Sequence, residues 1–214
     1  LKTNTQAANY TITYLPGILT VADGAIPITV TAQNAEKVYD GTALTRDEAR
    51  VTVGTLARGD TITWTITSTL TDAGTIDNVL TDVQVMHGTS NVTANYQITR
   101  QNGTLKVDPR PVELTADSAS KAYDGTPLTL NSYRITSATT FVGTDGLASV
   151  AVSGSQLYVG TSANTITGHT LLAGTNPGNY AITYKPGTLE ITKASIAVKV
   201  TAASGAKTYD GTPL

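Results

Sequence analysis

One short phrase occurs three times in this chain of 214 residues, and its spacing restricts the fold more than any other feature. The copies read KVYDGTALT from Lys37, KAYDGTPLT from Lys121 and KTYDGTPL from Lys207, so successive copies start 84 and 86 residues apart. A fixed period of this kind indicates a chain built from similar structural units. The sequence therefore predicts tandem repeats.

A second phrase recurs with the same period at a different phase. It reads NYTITYLPGILTV from Asn9, NYQITRQNGTLKV from Asn95 and NYAITYKPGTLEI from Asn179. A third echo is a Gly-Thr pair followed three residues later by Asn78 or by Asn164. Because independent phrases share one period, chance repetition does not explain them.

The order of the phrases sets the boundaries of the repeats. Repeat 1 is predicted to span residues 25–108, and repeat 2 is predicted to span residues 109–193. Residues 1–24 read as the C-terminal part of a preceding repeat, and residues 194–214 as the N-terminal part of a following one. Since Leu1 is not an initiator methionine, we expect the sequence to be a piece of a longer polypeptide.

Each repeat opens with a strict alternation of apolar and polar residues. In repeat 1, Ile28, Val30 and Ala32 would share one face of an extended chain, with Thr29 and Thr31 on the other. The corresponding apolar triplets are Val112, Leu114 and Ala116 and, further along, Val198, Val200 and Ala202. A period of two is typical of a half-buried β-strand.

The closing phrase predicts a β-hairpin. Tyr10, Ile12 and Tyr14 alternate with threonines, and a pair such as Asn102-Gly103 precedes a second short apolar run. Strand, glycine-containing loop and strand is the usual order of a hairpin. Between the two phrases, TITWTIT at residues 61–67 predicts a further strand.

These patterns predict an all-β fold made of tandem compact two-layer β domains, because a single sheet cannot bury its apolar face. An Ig-like sandwich of about seven strands and a β-grasp-like sheet both fit the pattern. Only TRDEAR, residues 45–50, favours a helical turn. Since Pro109 and Pro111 stiffen the short link between the repeats, the domains are expected to be arranged end to end as a rod.

The YDGT phrase predicts a turn. Its glycine takes a positive φ without steric cost, and the preceding aspartate can accept hydrogen bonds from the amides that follow it. Tyr39, Tyr123 and Tyr209 are expected to anchor the turns by covering the end of the core. The alternative is a Ca²⁺ site at each aspartate, which has weak support because one carboxylate per repeat lacks further oxygen ligands.

The phrase K.YDGT.LT followed by NY.IT...GTL.V resembles the MBG and YDG-type tandem repeats of bacterial cell-surface adhesins. The resemblance covers nearly the whole chain, through two full repeats and two partial ones. It implies a secreted or cell-wall-attached bacterial protein, located outside the cell and made of many tandem β-rich modules. It also implies a connection with host adhesion, in some members to mucin or other host glycans.

The sequence contains no pattern that predicts an enzyme. It has no G-x-S-x-G elbow, phosphate loop or dinucleotide fingerprint, and its carboxylates are scattered. Cysteine is absent, and His87 and His169 fall at non-equivalent positions without ligand neighbours at a useful spacing. We therefore predict no catalytic, cofactor-binding or metal-binding residue and no cofactor.

Charge and hydropathy limit the kinds of partner that this chain is expected to have. The net charge is −2, and no run of Lys or Arg could follow a phosphate backbone, so nucleic acid is not an expected partner. No stretch reaches the length of a membrane span, so this part of the protein is not expected to insert into a membrane. The chain is expected to be monomeric.

Two short features invite other functions. RGD occurs at residues 58–60, but the aligned GTDG at residues 143–146 favours a Gly/Asp turn between strands over an integrin-type motif. A covalent Lys–Asn staple also stays open, although lysines that lie along apolar surface and asparagines that cap turns explain the same residues. The residues concerned are Lys37, Lys121, Asn95 and Asn179.

Two functions fit the sequence. The first is a stiff spacer that presents a distal binding domain, which the regular period and the short links favour. The second is a module that binds a host glycan or surface protein, for which exposed aromatic side chains beside polar groups would be needed. Trp64, Tyr133 and Tyr158 are the candidates, and none has an aromatic counterpart in the other repeat.

Overall fold

A computed structural model describes residues 6–18 and 24–214 of the chain. Residues 1–5 and 19–23, which belong to the predicted tail of a preceding repeat, lie outside the described residues. The predicted all-β fold is confirmed, because every long element of the described residues is a strand and their helical elements are 3-10 turns of three residues each. Those turns are Ala7–Asn9, Thr93–Asn95 and Pro177–Asn179.

Sixteen strands are present in the described part of the chain. In chain order they are β1 (Ile26–Ala32), β2 (Ala35–Val38), β3 (Ala49–Val53), β4 (Asp60–Ile66), β5 (Gly74–Asn78), β6 (Leu80–His87), β7 (Ser90–Asn91), β8 (Tyr96–Gln101), β9 (Gly103–Asp108), β10 (Arg110–Ala116), β11 (Ala119–Ala122), β12 (Tyr133–Ile135), β13 (Leu147–Ser153), β14 (Gly160–Leu171), β15 (Tyr180–Lys185) and β16 (Gly187–Thr192).

The strands predicted from the alternating segments form where expected. The triplet of apolar residues at the start of each repeat lies on β1 and on β10, and its side chains are buried. TITWTIT forms β4. The helical turn predicted at residues 45–50 is wrong: the segment is irregular until Ala49, where β3 begins, because the chain there joins the sheet beside β1.

The chain divides into two compact units. The first contains the described residues up to Gln33 together with Asp47–Thr67 and Asn78–Gly103. The second contains Asn34–Arg46, Ser68–Asp77 and Thr104–Leu214.

The first unit has two three-stranded sheets, in the orders β3-β1-β8 and β4-β6-β7. β1 runs antiparallel to β3 and parallel to β8, and β4 runs antiparallel to β6. Both sheets contribute to one core. Its buried residues are Ile28, Val30, Ala32, Ala49, Leu80, Val83, Val85 and Tyr96.

The second unit contains three sheets, in the orders β2-β9-β5, β12-β10-β15 and β11-β16-β14-β13. Parallel pairs recur here as well, because β10 runs parallel to β15 and β11 runs parallel to β16. β14 is long enough to pair with β16 through its first half and with β13 through its second half. It replaces two separate strands of repeat 1, β5 and β6.

The hairpin predicted for the closing phrase is wrong. The two strands of that phrase lie in different sheets: β15 pairs with β10, whereas β16 pairs with β11 and β14. Gly187, the first residue of β16, permits this change of sheet, because a Cβ at this position would lie 2.4 Å from the carbonyl oxygens of Ala116 and Asp117. The glycine is needed for close backbone approach and not for a tight hairpin turn.

The turn predicted for the YDGT phrase is confirmed. Gly41, Gly125 and Gly211 have φ values of 79°, 83° and 78°, in the left-handed region that glycine enters without strain. In each phrase, the lysine three residues before the aspartate donates hydrogen bonds to residues of the turn.

Candidate functional site: the joint between the repeats

The boundary between the two sequence repeats lies inside the second compact unit. The buried core of that unit contains Tyr39 and Val107 from repeat 1 together with Val112, Leu114, Ala116, Ile166 and Tyr180 from repeat 2. The contact between the repeats, here called the joint, is therefore a packed core within one unit. Its principal residues are Tyr39, Asp72, Ala73, Arg110, Phe141, Val142, Asn179 and Tyr180.

Tyr39 is the apolar centre of the joint. Its backbone N–H donates to the carbonyl of Asp108 at 2.8 Å, which fixes the residue beyond the end of β2, and only 8% of it is exposed. The ring meets the edge of Tyr180, with 5.6 Å between the centroids and 82° between the planes. Phe141 lies 4.8 Å from Tyr180, so three aromatic rings pack together.

Asn179 is the polar centre of the joint. Its side-chain oxygen accepts from the backbone N–H of Ala73 at 2.7 Å, and its amide nitrogen donates to the carboxylate of Asp72 at 2.8 Å. Asn179 is the last residue of the 3-10 turn that leads into β15, and only 1% of it is exposed. A buried amide that is satisfied on both sides fixes one relative position of the segments it joins.

Arg110 connects the same segments through backbone carbonyls. Its Nη1 donates to the carbonyl of Tyr39 at 3.3 Å, and its Nε donates to the carbonyl of Thr140 at 2.6 Å. Arg110 is the first residue of β10, so the short link between the repeats is itself held at the joint. The pKa of the Tyr39 phenol is raised, first by burial and then by the negative charge of Asp145.

A Tyr–Asp pair supports the joint from the side of repeat 2. The Tyr180 hydroxyl donates to the Asp145 carboxylate at 2.6 Å and accepts from the backbone N–H of Val142 at 3.1 Å. Burial raises the pKa of Tyr180 to about 12, and the hydrogen bond to Asp145 acts in the same direction. The loop that carries Phe141 and Val142 is thereby fixed against β15.

The first unit contains the same arrangement. Tyr96 donates to Asp60 at 2.6 Å and accepts from the N–H of Ala57 at 2.9 Å. Asp60 also bonds His87, and its pKa is lowered, first by the Tyr96 hydrogen bond and then by His87. Because Asp60 is the aspartate of the RGD sequence and its side chain is only 9% exposed, its carboxylate is not presented to an integrin-type receptor.

The YDGT turns form closed polar rings. In the first, Lys37 donates to the Asp40 carboxylate at 2.6 Å and to the Thr42 hydroxyl at 2.7 Å, and both the N–H and the hydroxyl of Thr42 donate to that carboxylate. The hydrogen bond from Lys37 is the main reason that the pKa of Asp40 lies well below its usual range. Lys121 with Asp124 and Lys207 with Asp210 repeat the pattern.

The hydrogen bonds in these rings are relevant to two alternatives raised by the sequence, a Ca²⁺ site at each aspartate and a Lys–Asn staple. Each aspartate is already bonded by an ammonium and a threonine, which leaves the Ca²⁺ alternative without the open oxygen cluster that the ion needs. The lysines donate within their own turns, and Asn179 bonds Asp72 and Ala73. These hydrogen bonds give no support to a Lys–Asn staple.

The remaining residues singled out from the sequence are scattered. Trp64 packs against the core of the first unit, whereas Tyr133 and Tyr158 are exposed, Tyr158 by 70%. His87 bonds Asp60 in the first unit, and His169 bonds the Tyr184 hydroxyl in the second. The structure does not bring these side chains together into one site.

Sequence reasoning missed Asp72, Ala73 and Arg110. Asp72 and Ala73 align with Tyr158 and Val159 of repeat 2, so no repeated phrase marked them. The sequence marks Arg110 only as a residue of the short link, between Pro109 and Pro111. Asn179 belongs to a recognised phrase, but the phrase alone does not reveal that its side chain joins two repeats.

No group of three potential ligands among the described residues could hold a metal ion. Within the same residues, no helix combines the length and the hydrophobicity that crossing a membrane requires. An open depression of about 300 Å³ on the second unit is lined by Asn34, Ala35, Glu36, Thr104 and Lys106. Its two charged side chains pair with each other at 2.8 Å.

Comparison with models of protein families, with curated proteins and with solved structures finds no match to this chain.

Proposed function

We propose that this chain is a structural repeat region of a bacterial surface protein, in which tandem β domains act as a stiff spacer that presents a distal binding domain. One observation carries the proposal: the repeats meet through a buried core and not through a free linker. Tyr39 and Asn179 close that joint with an aromatic contact and a two-sided amide bond. A packed joint resists bending, and resistance to bending is the property that a spacer needs.

The location of the protein is part of the same proposal. Tandem β domains suit an extracellular, cell-wall-attached adhesin, where a binding domain has to be held at a distance from the cell surface. The chain would be monomeric in this role. Antibodies against the full chain should then label intact bacterial cells that produce the parent protein, and labelling only after cell lysis would contradict the location.

Small-angle X-ray scattering of the full chain tests the spacer role. A compact globule of 214 residues would have a radius of gyration of about 17 Å, and we expect a clearly larger value with a long, narrow distance distribution. The double variant Tyr39→Ala, Asn179→Ala should broaden that distribution, because it removes the Tyr39–Tyr180 ring contact and the two side-chain hydrogen bonds of Asn179. A wild-type radius near that of a globule would contradict the proposal.

A module that binds a host glycan or surface protein is the second candidate. The exposed ring of Tyr158 favours it, since an open aromatic face can stack on a sugar. Trp64 does not serve this role, because it packs against the core of the first unit. A glycan array probed with the full chain and with Tyr158→Ala tests the candidate: binding that the substitution abolishes would support it.

A further inference from the structure

A group of exposed and half-buried apolar side chains lies at one end of the second unit. This group, here called the tip surface, consists of Tyr123, Leu128, Leu157, Tyr158 and Val159. Tyr123 is 39% exposed and Tyr158 is 70% exposed. Exposed apolar side chains that lie together on a protein surface can mark a place where another protein surface packs.

Strand pairing brings these residues to one place. Tyr123 follows the end of β11 and donates its N–H to the carbonyl of Thr192 at 2.9 Å. Val159 precedes the start of β14, and both strands flank β16 in one sheet. A β-bridge between Leu128 and Gln156 holds the two loops together.

The same arrangement occurs in repeat 1, where it is covered. Tyr39 follows β2 and donates its N–H to Asp108 at 2.8 Å, and a bridge joins Leu44 to Leu70. Ala73 immediately precedes β5, as Val159 precedes β14. The part of repeat 2 that is here called the Asn-Tyr end packs on this surface of repeat 1. This end consists of Phe141, Val142, Asn179 and Tyr180.

We infer that the tip surface binds the Asn-Tyr end of another repeat of this kind, joined through residues 193–214. The equivalent surface has this occupant in the same molecule, so the joint itself shows which chemistry fits. Val198 and Val200 support the inference, since they are exposed although their counterparts Val112 and Leu114 lie in the core of the second unit. The segment has the apolar face of a first strand.

The new contact differs from the existing joint in polarity. Leu157, Tyr158 and Val159 stand where repeat 1 has Thr71, Asp72 and Ala73. The incoming asparagine therefore meets a backbone N–H but no carboxylate, and a larger share of the contact is apolar. The inference goes beyond the spacer role, because it names the partner of one particular surface.

Tyrosine nitration tests the inference without any substitution in the existing chain. The full chain is extended after Leu214 by a second copy of residues 129–192, which completes a third repeat. Both forms are treated with tetranitromethane, and the modified peptides are quantified by mass spectrometry. Tyr123 should react at least tenfold more slowly in the extended chain, because the added repeat covers it as repeat 2 covers Tyr39.

Two tyrosines of the same phrase serve as internal controls. Tyr39 is covered in both forms and should stay unreactive, whereas Tyr209 is open in both and should stay reactive. In the extended chain, replacing the added copy of Asn179 by alanine should restore part of the Tyr123 reactivity. This last variant shows whether Tyr123 is protected by specific packing of the Asn-Tyr end or only by the presence of additional residues.

Equal reactivity of Tyr123 in the two forms would overturn the inference. It would also be overturned if the added residues gave no new strand signals in an amide NMR spectrum, because the tip surface would then have failed to support the repeat placed beside it. The result is independent of the spacer role. A protected Tyr123 in a chain with a globular scattering profile would contradict the spacer and leave this inference standing.

Discussion

The ring of Tyr39 stands edge-on to the ring of Tyr180, and the two residues belong to different sequence repeats. Tyr123 and Tyr209 occupy the same place in the same phrase as Tyr39, yet both are exposed. Burial of this tyrosine is therefore set by its neighbour in space and not by its own phrase. The matched positions allow the energetic contribution of the joint to be measured within one molecule.

Replacing Tyr39 by alanine should destabilise the second unit by about 3 kcal/mol, because a buried aromatic ring is lost. The same substitution at Tyr123 should cost less than about 1 kcal/mol, since that ring is exposed. Hydrogen exchange of the Val112 and Leu114 amides, which lie in the core strand β10, gives the free energy of opening for each variant. Equal losses at the two tyrosines would show that the joint contributes no packing energy.

Replacing Asn179 by alanine should cost about 1–3 kcal/mol, because the Ala73 amide loses its buried acceptor. Asn95 is the matched control: it holds the same place in the phrase but is exposed, so Asn95→Ala should change stability by less than about 0.5 kcal/mol. Exchange of the Ala73 amide should accelerate only in the Asn179 variant. Unchanged exchange at Ala73 would refute the assigned hydrogen bond.

Replacing Gly187 by alanine should destabilise the second unit by about 1–3 kcal/mol, since the new methyl group would collide with two backbone carbonyls. Gly168 is a strand glycine with no atom within 4 Å of an added Cβ. The Gly168→Ala variant should therefore be neutral or slightly stabilising. Urea unfolding followed by circular dichroism compares them, and a larger loss at Gly168 would contradict the role given to close approach.

High pH should weaken the second unit through Tyr180. Its pKa of about 12 in the folded chain lies above the value of about 10 expected in the unfolded chain. The contribution of the neutral phenol is fully present below about pH 10 and is lost as the pH rises toward 12, because the unfolded state ionises first. Urea unfolding at a series of pH values measures the loss.

The control for this pH dependence is a pair of phenylalanine variants. Tyr180→Phe should show a smaller fall in the free energy of unfolding between pH 10 and 12 than the wild type does. Tyr158→Phe should behave like the wild type, since the Tyr158 ring is exposed. If Tyr158→Phe flattened the profile as much as Tyr180→Phe, burial of Tyr180 would not be the cause.

The aspartate of each YDGT ring should titrate independently of the aspartates in the other rings. The pKa of Asp124 is lowered chiefly by the hydrogen bond from Lys121, so Lys121→Met should raise it toward the ordinary value near 4. Asp40 should keep its low pKa in that variant, because Lys37 is unchanged. Carboxyl carbon chemical shifts followed from pH 7 to pH 1 measure both. As the pH falls, the turn with the higher pKa should open first, because protonation removes the acceptor of its ring.

Local patterns in the sequence predicted the elements that depend on local chemistry. The alternating segment at Ile28, Val30 and Ala32 formed a strand, and the glycine of each YDGT phrase took a positive φ. Both outcomes follow from the side chain and backbone of the residues themselves. The all-β class follows from the same patterns.

Long-range pairing was not predictable in the same way. The closing phrase has the composition of a hairpin, but the parallel partners of β15 and β16 lie more than sixty residues earlier, and the two strands enter different sheets. The joint was hidden for a related reason: Asp72 and Ala73 have no counterpart in the repeated phrases, and nothing near Tyr39 in the sequence distinguishes it from Tyr123. Only the fold reveals which copy is covered.

The parallel pairs of repeat 2 determine how it would respond to mechanical load. β10 receives the chain and pairs in parallel with β15, and β11 pairs in parallel with β16, from which the chain leaves. A pull on the two ends draws the partners of each pair past each other lengthwise, so the evenly spaced hydrogen bonds are strained together. Such a ladder cannot be unzipped one bond at a time, and a domain tethered in flowing liquid would rupture only at high force.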